Sequence, residues 1–336
     1  MDVGKFKSIG YIGGGNFGKV FRVEDTLLKV ERAIKLIQVK NPKEFIDAIN
    51  EAQILERCRH THIVDIKEID IHEIDGNPFP CITTEYLKNG SVQGYLEQNF
   101  ISVQKSIQII SEVLIGLEHA HNQGVFHRDI KPGNILFSDN WQAKLADFGL
   151  AYGLEHQTFN FAGYNAHLPP EVLEGLAQDE LSDLYSMGIT FHRLLNNMPS
   201  LNINFNNDND WLKALKKEQF PERKYQHHIP NQIIKVVLKS IKAIRGKRFQ
   251  NCLEFRQALQ KIKLGIEWEP ISENIWLGKY RNENFEINIY SKNTGYFIDF
   301  KRNGRKILNK CCERISTIEI AKDEFYKLIR ETTLKI

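Results

Sequence analysis

The chain has 336 residues, 42% of them hydrophobic and 26% charged, with 45 Lys and Arg against 42 Asp and Glu. That length allows roughly two domains with a full buried core, and the composition excludes a disordered chain. The formal net charge of +3 excludes a surface given over wholly to nucleic acid, but not a local basic patch.

Residues 6 to 40 read as strands, with Gly13-Gly14-Gly15 set between apolar runs and Ala33-Ile34-Lys35-Leu36-Ile37 following. Asn41-Pro42 starts a helix, since Pro is tolerated at the first helical position, and Phe45, Ala48, Ala52 and Leu55 keep helical spacing. Strand texture returns at Ile63 to Ile71 and Cys81 to Tyr86. Ser102 to Gly124 is helical, with Ile107, Ile110, Leu114 and Leu117 on one face. A motif-dense stretch with few regular elements runs from 125 to 171. Glu180 to Leu195 is helical, 202 to 210 is a polar loop, and helices follow around 231–244 and 251–263.

Gly265 to Pro270 looks like a boundary. Beyond it come strands at Glu286 to Tyr290, Tyr296 to Phe300 and Arg305 to Leu308, the last two joined by Asn303-Gly304, a strong hairpin turn. Ser316-Thr317-Ile318-Glu319 fits a capping box, and Ile318, Ala321, Phe325, Leu328 and Ile329 would line one face of a closing helix. Trp268 and Trp276 are expected in the core. The five cysteines are an odd count without a C-x-x-C pair, and no secretory signal opens the chain. A reducing, cytoplasmic setting with free thiols is expected. No run of about 18 apolar residues exists, so no membrane partner is expected.

Three motifs carry chemistry. Gly13-Gly14-Gly15-Asn16-Phe17-Gly18-Lys19-Val20 contains G-x-G-x-x-G-x-V, in which glycines bring backbone N–H groups close to phosphate oxygens. Strand text follows it, which disfavours a dinucleotide-binding turn. Lys35 ends a strand-like run and can place a point charge on phosphates, with Glu51 of the 42–58 helix as the carboxylate to hold it. The third is decisive: His127-Arg128-Asp129-Ile130-Lys131-Pro132-Gly133-Asn134, followed 18 residues after Asp129 by Asp147-Phe148-Gly149. One carboxylate can take a hydroxyl proton, an Asn and a second Asp can hold Mg²⁺ through oxygen, and a lysine can neutralise a transferring phosphoryl group.

On these motifs, residues 6 to about 264 resemble the eukaryotic-type serine/threonine protein kinase family. The likeness continues in Pro169-Pro170-Glu171, in Asp183-Leu184-Tyr185-Ser186-Met187-Gly188 and in Arg248. It implies an α+β, bilobal fold: N-lobe 1–84, hinge 85–88, C-lobe 89–264, then a small accessory domain at 265–336 of three strands and a helix.

The resemblance further implies roles. Gly13, Gly15 and Gly18 cover the phosphates of ATP. Val20, Ala33 and Leu136 sandwich adenine, and Glu85 and Leu87 offer it backbone groups beside the gatekeeper Thr84. Lys35 binds phosphates and pairs with Glu51. Asp129 is the base, Lys131 supports the γ-phosphoryl group, and Asn134 and Asp147 hold Mg²⁺ or Mn²⁺. His127, Phe148, Leu55 and Asp183 form a packed spine, Gly149 completes the Asp-Phe-Gly turn, and Arg248 pairs with Glu171. Lys131 stands where serine/threonine kinases carry lysine. The substrate is then a protein hydroxyl, with self-phosphorylation expected.

Tyr164 and His167 depart from the family in the floor of the peptide site. Thr158 is the one Ser or Thr between Asp147 and Glu171, and a phosphate on it could pair with Arg128. The chain starts almost at its first strand, so regulation is expected from the activation segment, the tail or a partner. The rival reading is a pseudokinase scaffold. In the tail, residues 292–314 hold seven Lys and Arg against Asp299 and Glu313, with Tyr296 and Phe300 interleaved. Two readings stand for this hairpin: a nucleic-acid surface, or the solvated face of a partner-docking module.

Overall fold

The computed structural model of the chain describes residues 2–15, 18–37, 39, 41–74, 77–148, 166–205 and 207–334; for a few of these, Gly15 and Glu51 among them, only the backbone is described. Elements run in the order β1 (Phe6–Gly15), β2 (Gly18–Asp25), β3 (Val30–Leu36), α1 (Pro42–Arg57), β4 (Ile66–Ile74), β5 (Asn77–Glu85), α2 (Val92–Gln98), α3 (Val103–Asn122), β6 (Ile135–Phe137), β7 (Ala143–Leu145), α4 (Pro170–Leu173), α5 (Glu180–Leu195), α6 (Asp208–Lys216), α7 (Asn231–Ser240) and α8 (Cys252–Gln260). The C-terminal part adds β8 (Glu267–Ser272), β9 (Ile275–Tyr280), β10 (Glu283–Lys292), β11 (Gly295–Arg302), β12 (Arg305–Lys306), β13 (Cys312–Ile315) and α9 (Ile318–Leu334). The fold is α+β: a strand-rich N-terminal sheet, a helical lobe, and a β-rich C-terminal region closed by a helix. The chain divides into two compact units, residues 1–94 with 112–186, and residues 95–111 with 187–336.

In the first unit, β1 to β5 form an antiparallel sheet in the order β1-β2-β3-β5-β4. Period-two alternation decides its faces: Ile34 and Leu36 of β3 are buried, and Ala33 and Lys35, which alternate with them, face the other side. The turn from β1 to β2 needs glycine. Gly18 sits at φ +144°, and a Cβ there would lie 2.3 Å from the Leu36 carbonyl oxygen. Further on, β6 and β7 form a two-stranded ribbon that lies between the His127–Asn134 and Asp147–Gly149 motifs.

In the second unit, Met187–Leu195 of α5 is almost wholly buried. The polar run expected as a loop at 202–210 is partly helix start: Asn207 caps α6, its side chain accepting from the Asp210 N–H. The three strands expected in the tail are there as β10, β11 and a shortened β12, with Asn303 and Gly304 both at positive φ in the turn. Three more strands join them. β8 and β9 continue the sheet, giving the order β12-β11-β10-β9-β8, and β13 pairs with β11. Pro270 hides β8 from a pattern search, but β8 is the edge strand, where a missing N–H is tolerated. The helix cap also shifts by one residue: the Thr317 hydroxyl, not Ser316, faces the Ile320 N–H, at 3.4 Å.

One side of this tail sheet packs on α9. Trp268, Trp276, Phe285, Ile287, Ile298 and Phe300 from the strands meet Ala321, Phe325, Leu328 and Ile329 from the helix. The Trp268 indole N–H donates to Thr332 Oγ1 at 3.0 Å, which satisfies its one polar group. Phe100, between α2 and α3, packs against the same core. Among the described residues, no helix is long and apolar enough to cross a membrane.

Candidate active site

The register of the N-terminal sheet collects the residues expected to face a nucleotide. One row of paired residues runs Gly13, Val20, Lys35, Ile82, and the next runs Arg22, Ala33, Thr84. Residues two apart on a strand share a face, so Val20, Ala33, Lys35 and Thr84 lie on one side of the sheet. Leu136 is the half-buried middle residue of β6, between buried Ile135 and Phe137. The hinge residues follow from β5: the Leu87 carbonyl accepts from Gly90 N–H at 3.1 Å, making a tight turn after the hinge.

The His127–Asn134 loop, expected to be catalytic, is hung on one buried carboxylate. Asp183, at the start of α5, is 1% exposed; its Oδ2 accepts from the His127 N–H at 2.8 Å and its Oδ1 from the Arg128 N–H at 2.7 Å. His121 Nε2 meets Oδ2 at 2.9 Å. This grip holds Arg128 at φ +67°, a conformation that a residue with a Cβ avoids. The next residue, Asp129, is thereby aimed. Its Oδ2 accepts from Lys131 Nζ at 2.7 Å and from Asn134 Nδ2 at 2.8 Å. His127 accepts the Asp129 N–H on Nδ1, at 3.2 Å, and its Nε2 meets the Ala146 carbonyl at 2.9 Å. Phe148 is fully buried, edge-on to the His127 ring at 4.7 Å. Leu55 is buried too.

Asp147 stands at the mouth of this arrangement, its side chain 45% exposed and its Oδ1 accepting from Lys35 Nζ at 3.0 Å. Burial pushes its pKa up. The Lys35 charge and hydrogen bond, with His127 and Lys131 behind them, outweigh this and hold the carboxyl below its ordinary value. Asn134 spends its Nδ2 on the Asp129 carbonyl and carboxylate, so its Oδ1 is the group turned away from Asp129. An ionised carboxylate and an amide oxygen are hard donors, and they fit a divalent cation of the magnesium type.

The Glu51 side chain, Gly15 beyond its backbone, Gly149 and Thr158 lie outside the described residues, as does Tyr164. Of the residues expected in the peptide floor, His167 is buried and its carbonyl accepts from Ser186 Oγ at 2.9 Å. Glu171 is buried and accepts from Ser182 Oγ at 3.3 Å. Arg248 is 1% exposed in the second unit and donates to the carbonyls of Lys242 and Ala243 at 2.7 and 3.1 Å.

Sequence reasoning missed one ion pair. Lys144 Nζ lies 2.6 Å from Glu85 Oε1, both largely buried, and the same oxygen accepts the Asp65 N–H at 2.8 Å. Lys144 is paired across the ribbon with Leu136. The signal available was the cross-strand alternation of β7, with a lysine between buried Ala143 and Leu145.

The basic hairpin of the tail carries its own counter-charges. Lys301 pairs with Glu286 at 2.7 Å, Lys306 with Asp299 at 2.7 Å, and Arg302 with Glu283. Lys292 lies over the stacked rings of Tyr290 and Phe297.

Comparison with known proteins agrees with this geometry. The family model described as the protein kinase domain matches residues 6–264. The serine/threonine-protein kinase PknB of Mycolicibacterium smegmatis is 27% identical over 267 residues, covering 76% of this chain and 42% of that protein. The serine/threonine-protein kinase PrkC of Bacillus subtilis is 29% identical over 248 residues, 70% of this chain and 37% of that protein. The chain thus spans about two fifths of the length of these curated relatives. The family match covers more than three quarters of the chain, and the chain belongs to the protein kinase domain family.

Proposed function

We propose that the protein is a serine/threonine protein kinase that transfers the γ-phosphoryl group of Mg-ATP to a protein hydroxyl. The family implies ATP, a divalent cation and a protein substrate. The observation that carries the reading is the convergence of Lys35, Asp129, Lys131, Asn134 and Asp147: Lys35 is 3.0 Å from Asp147, and Asp129 is bonded to both Lys131 and Asn134.

In the reaction, Asp129 accepts the proton of the acceptor hydroxyl as its oxygen bonds to the γ-phosphorus. The bond from that phosphorus to the bridging oxygen breaks, and ADP leaves with the electron pair. Lys131 is placed to offset charge on the transferring group, and Lys35 on the phosphates it leaves. Gly13, Gly15 and Gly18 cover the phosphates, and Val20, Ala33, Leu136 and the Glu85–Leu87 backbone receive adenine beside Thr84. Asn134 and Asp147 would hold Mg²⁺, or Mn²⁺ with the same oxygens, and the ion supplies charge neutralisation. Orientation and charge stabilisation, without a covalent enzyme intermediate, carry the rate.

Lys131 and the printed names of the relatives support serine and threonine as acceptors. The full set of catalytic side chains speaks against the pseudokinase scaffold. The free cysteines, of which Cys58, Cys81 and Cys252 are buried, support a cytoplasmic setting. For the hairpin 292–314, carboxylates on the same sheet favour a docking face over a nucleic-acid surface. A phosphate on Thr158 completes the reading.

The test is incubation with labelled ATP and Mg²⁺ and a generic basic protein, wild type against Asp129→Asn. Label on serine and threonine from the wild type alone is the expected result. Equal labelling by the two proteins overturns the enzyme reading, and label on tyrosine overturns the acceptor class.

A further inference from the structure

The second unit holds a surface whose occupant is the chain itself. Between α2 and α3, and again just before α7, residues of the helical lobe turn toward the tail. Phe100 packs against the tail core, its ring edge-on to Trp276 at 5.7 Å. The His228 ring lies 4.9 Å from the Trp276 ring and 5.8 Å from Phe100. The His227 ring stacks on Tyr326 of α9 at 5.6 Å, and its carbonyl accepts from Arg330. Polar bonds frame these rings. Ser102 Oγ donates to Glu267 Oε1, and Gln104 Nε2 donates to the Ile266 carbonyl at 2.6 Å.

These contacts have the anatomy of an internal core rather than of two modules touching. Trp276 is 4% exposed and His228 5%, so each is buried by both parts. Aromatic rings fill the centre and hydrogen bonds lie around them, the arrangement of a specific packed interface. The link between the parts is short. The α8 helix ends at Gln260, and Ile266 is already 0% exposed and bonded to α9 through Thr332.

We propose that residues 265–334 are the permanent occupant of the surface formed by residues 99–104 and 227–228, so that the tail unfolds as one cooperative unit with residues 95–111 and 187–264. The boundary of the family match at residue 264 is then a boundary of resemblance and not of folding. A module joined by a loose tether would open and close on its own, and its interface residues would be wet in the undocked state.

Native-state hydrogen exchange on the full chain tests this. Amides of 99–106 and 226–230 are expected to open in step with those of 266–268 and 285–289, with the same dependence on denaturant. In Trp276→Ala, exchange in all four segments is expected to rise together, on the order of a hundredfold or more. Ser102→Ala, which leaves the aromatic centre intact, is expected to raise all four by a smaller common factor. If the tail segments exchange at one opening level and the 99–106 and 226–230 segments at another in the wild type, the proposal fails. It also fails if either variant speeds exchange in the tail alone. These readouts need no phosphoryl transfer, so their outcome is independent of the catalytic reading.

Discussion

Replacing Asp183 by Asn is expected to damage the catalytic loop without touching a reacting atom. The carboxylate is a pure acceptor, and both oxygens are used: one by the Arg128 N–H at 2.7 Å, the other by the His127 N–H at 2.8 Å and by His121. An amide of the same shape must turn its NH₂ toward one of these buried donors. That loses a charge-assisted bond and leaves a backbone N–H facing another donor, at a net cost of about 3 kcal/mol. For a chain of 336 residues the melting temperature is expected to fall by roughly 4 °C. Arg128 is held at φ +67°, so the freed loop relaxes toward an ordinary conformation and carries Asp129 with it. A displacement of about 1 Å at the base is expected to cost roughly a hundredfold in kcat. The ATP KM, set by the sheet and hinge, should change by less than about threefold. Thermal unfolding and initial rates at varied ATP measure both. A variant with unchanged melting temperature and near-normal kcat refutes the reasoning that this carboxylate holds the loop.

Three further outcomes are expected. Lys35→Met removes the cation 3.0 Å from Asp147, and steady-state assays should show activity down by about a hundredfold or more with the fold intact by circular dichroism. Gly18→Ala places a Cβ against the Leu36 carbonyl at a φ of +144°, and a fluorescent ATP analogue should bind about tenfold more weakly. Finally, burial holds His192 and His228 down to about 4, from 6.5. The unfolded chain therefore binds more protons between these values, so stability is full above about pH 6.5 and falls as the pH drops toward 4, by about 3 kcal/mol for each ring. Urea unfolding at pH 7.5 and 4.5 should show the loss, and His228→Phe should remove part of it. An unchanged pH slope in that variant would contradict the burial of the ring.

The catalytic residues were legible because their chemistry depends on short sequence spacings. His127 to Asn134 is a single stretch, and Asp147 follows two residues past the second ribbon strand, β7. The Asp183 clamp was legible only as a spine position, since nothing local in the sequence says that it accepts from two amides some 55 residues away. Lys144 and Glu85, 59 residues apart, form a pair of the same hidden kind. In the tail, Asn303-Gly304 declared its hairpin because positive φ selects those residues. The edge strand β8 did not declare itself, because Pro270 breaks the strand signal while its position at the edge makes proline harmless. Asn207 was hidden for a related reason: a polar run is both what a loop is made of and what a helix needs at its start.

The tail begins and ends at the same place. Gly265 and Ile266 donate their N–H groups to the carbonyls of Thr333 and Thr332, at 2.7 and 2.8 Å, so the first strand's approach caps the last turn of α9. In terms of chain path, the whole β-rich region is therefore a closed excursion from one point on the helical lobe. Such an excursion can be gained or lost without rerouting the backbone that carries the catalytic loop. Its loss would be felt at the surface it covers, where Phe100 and His228 would meet water.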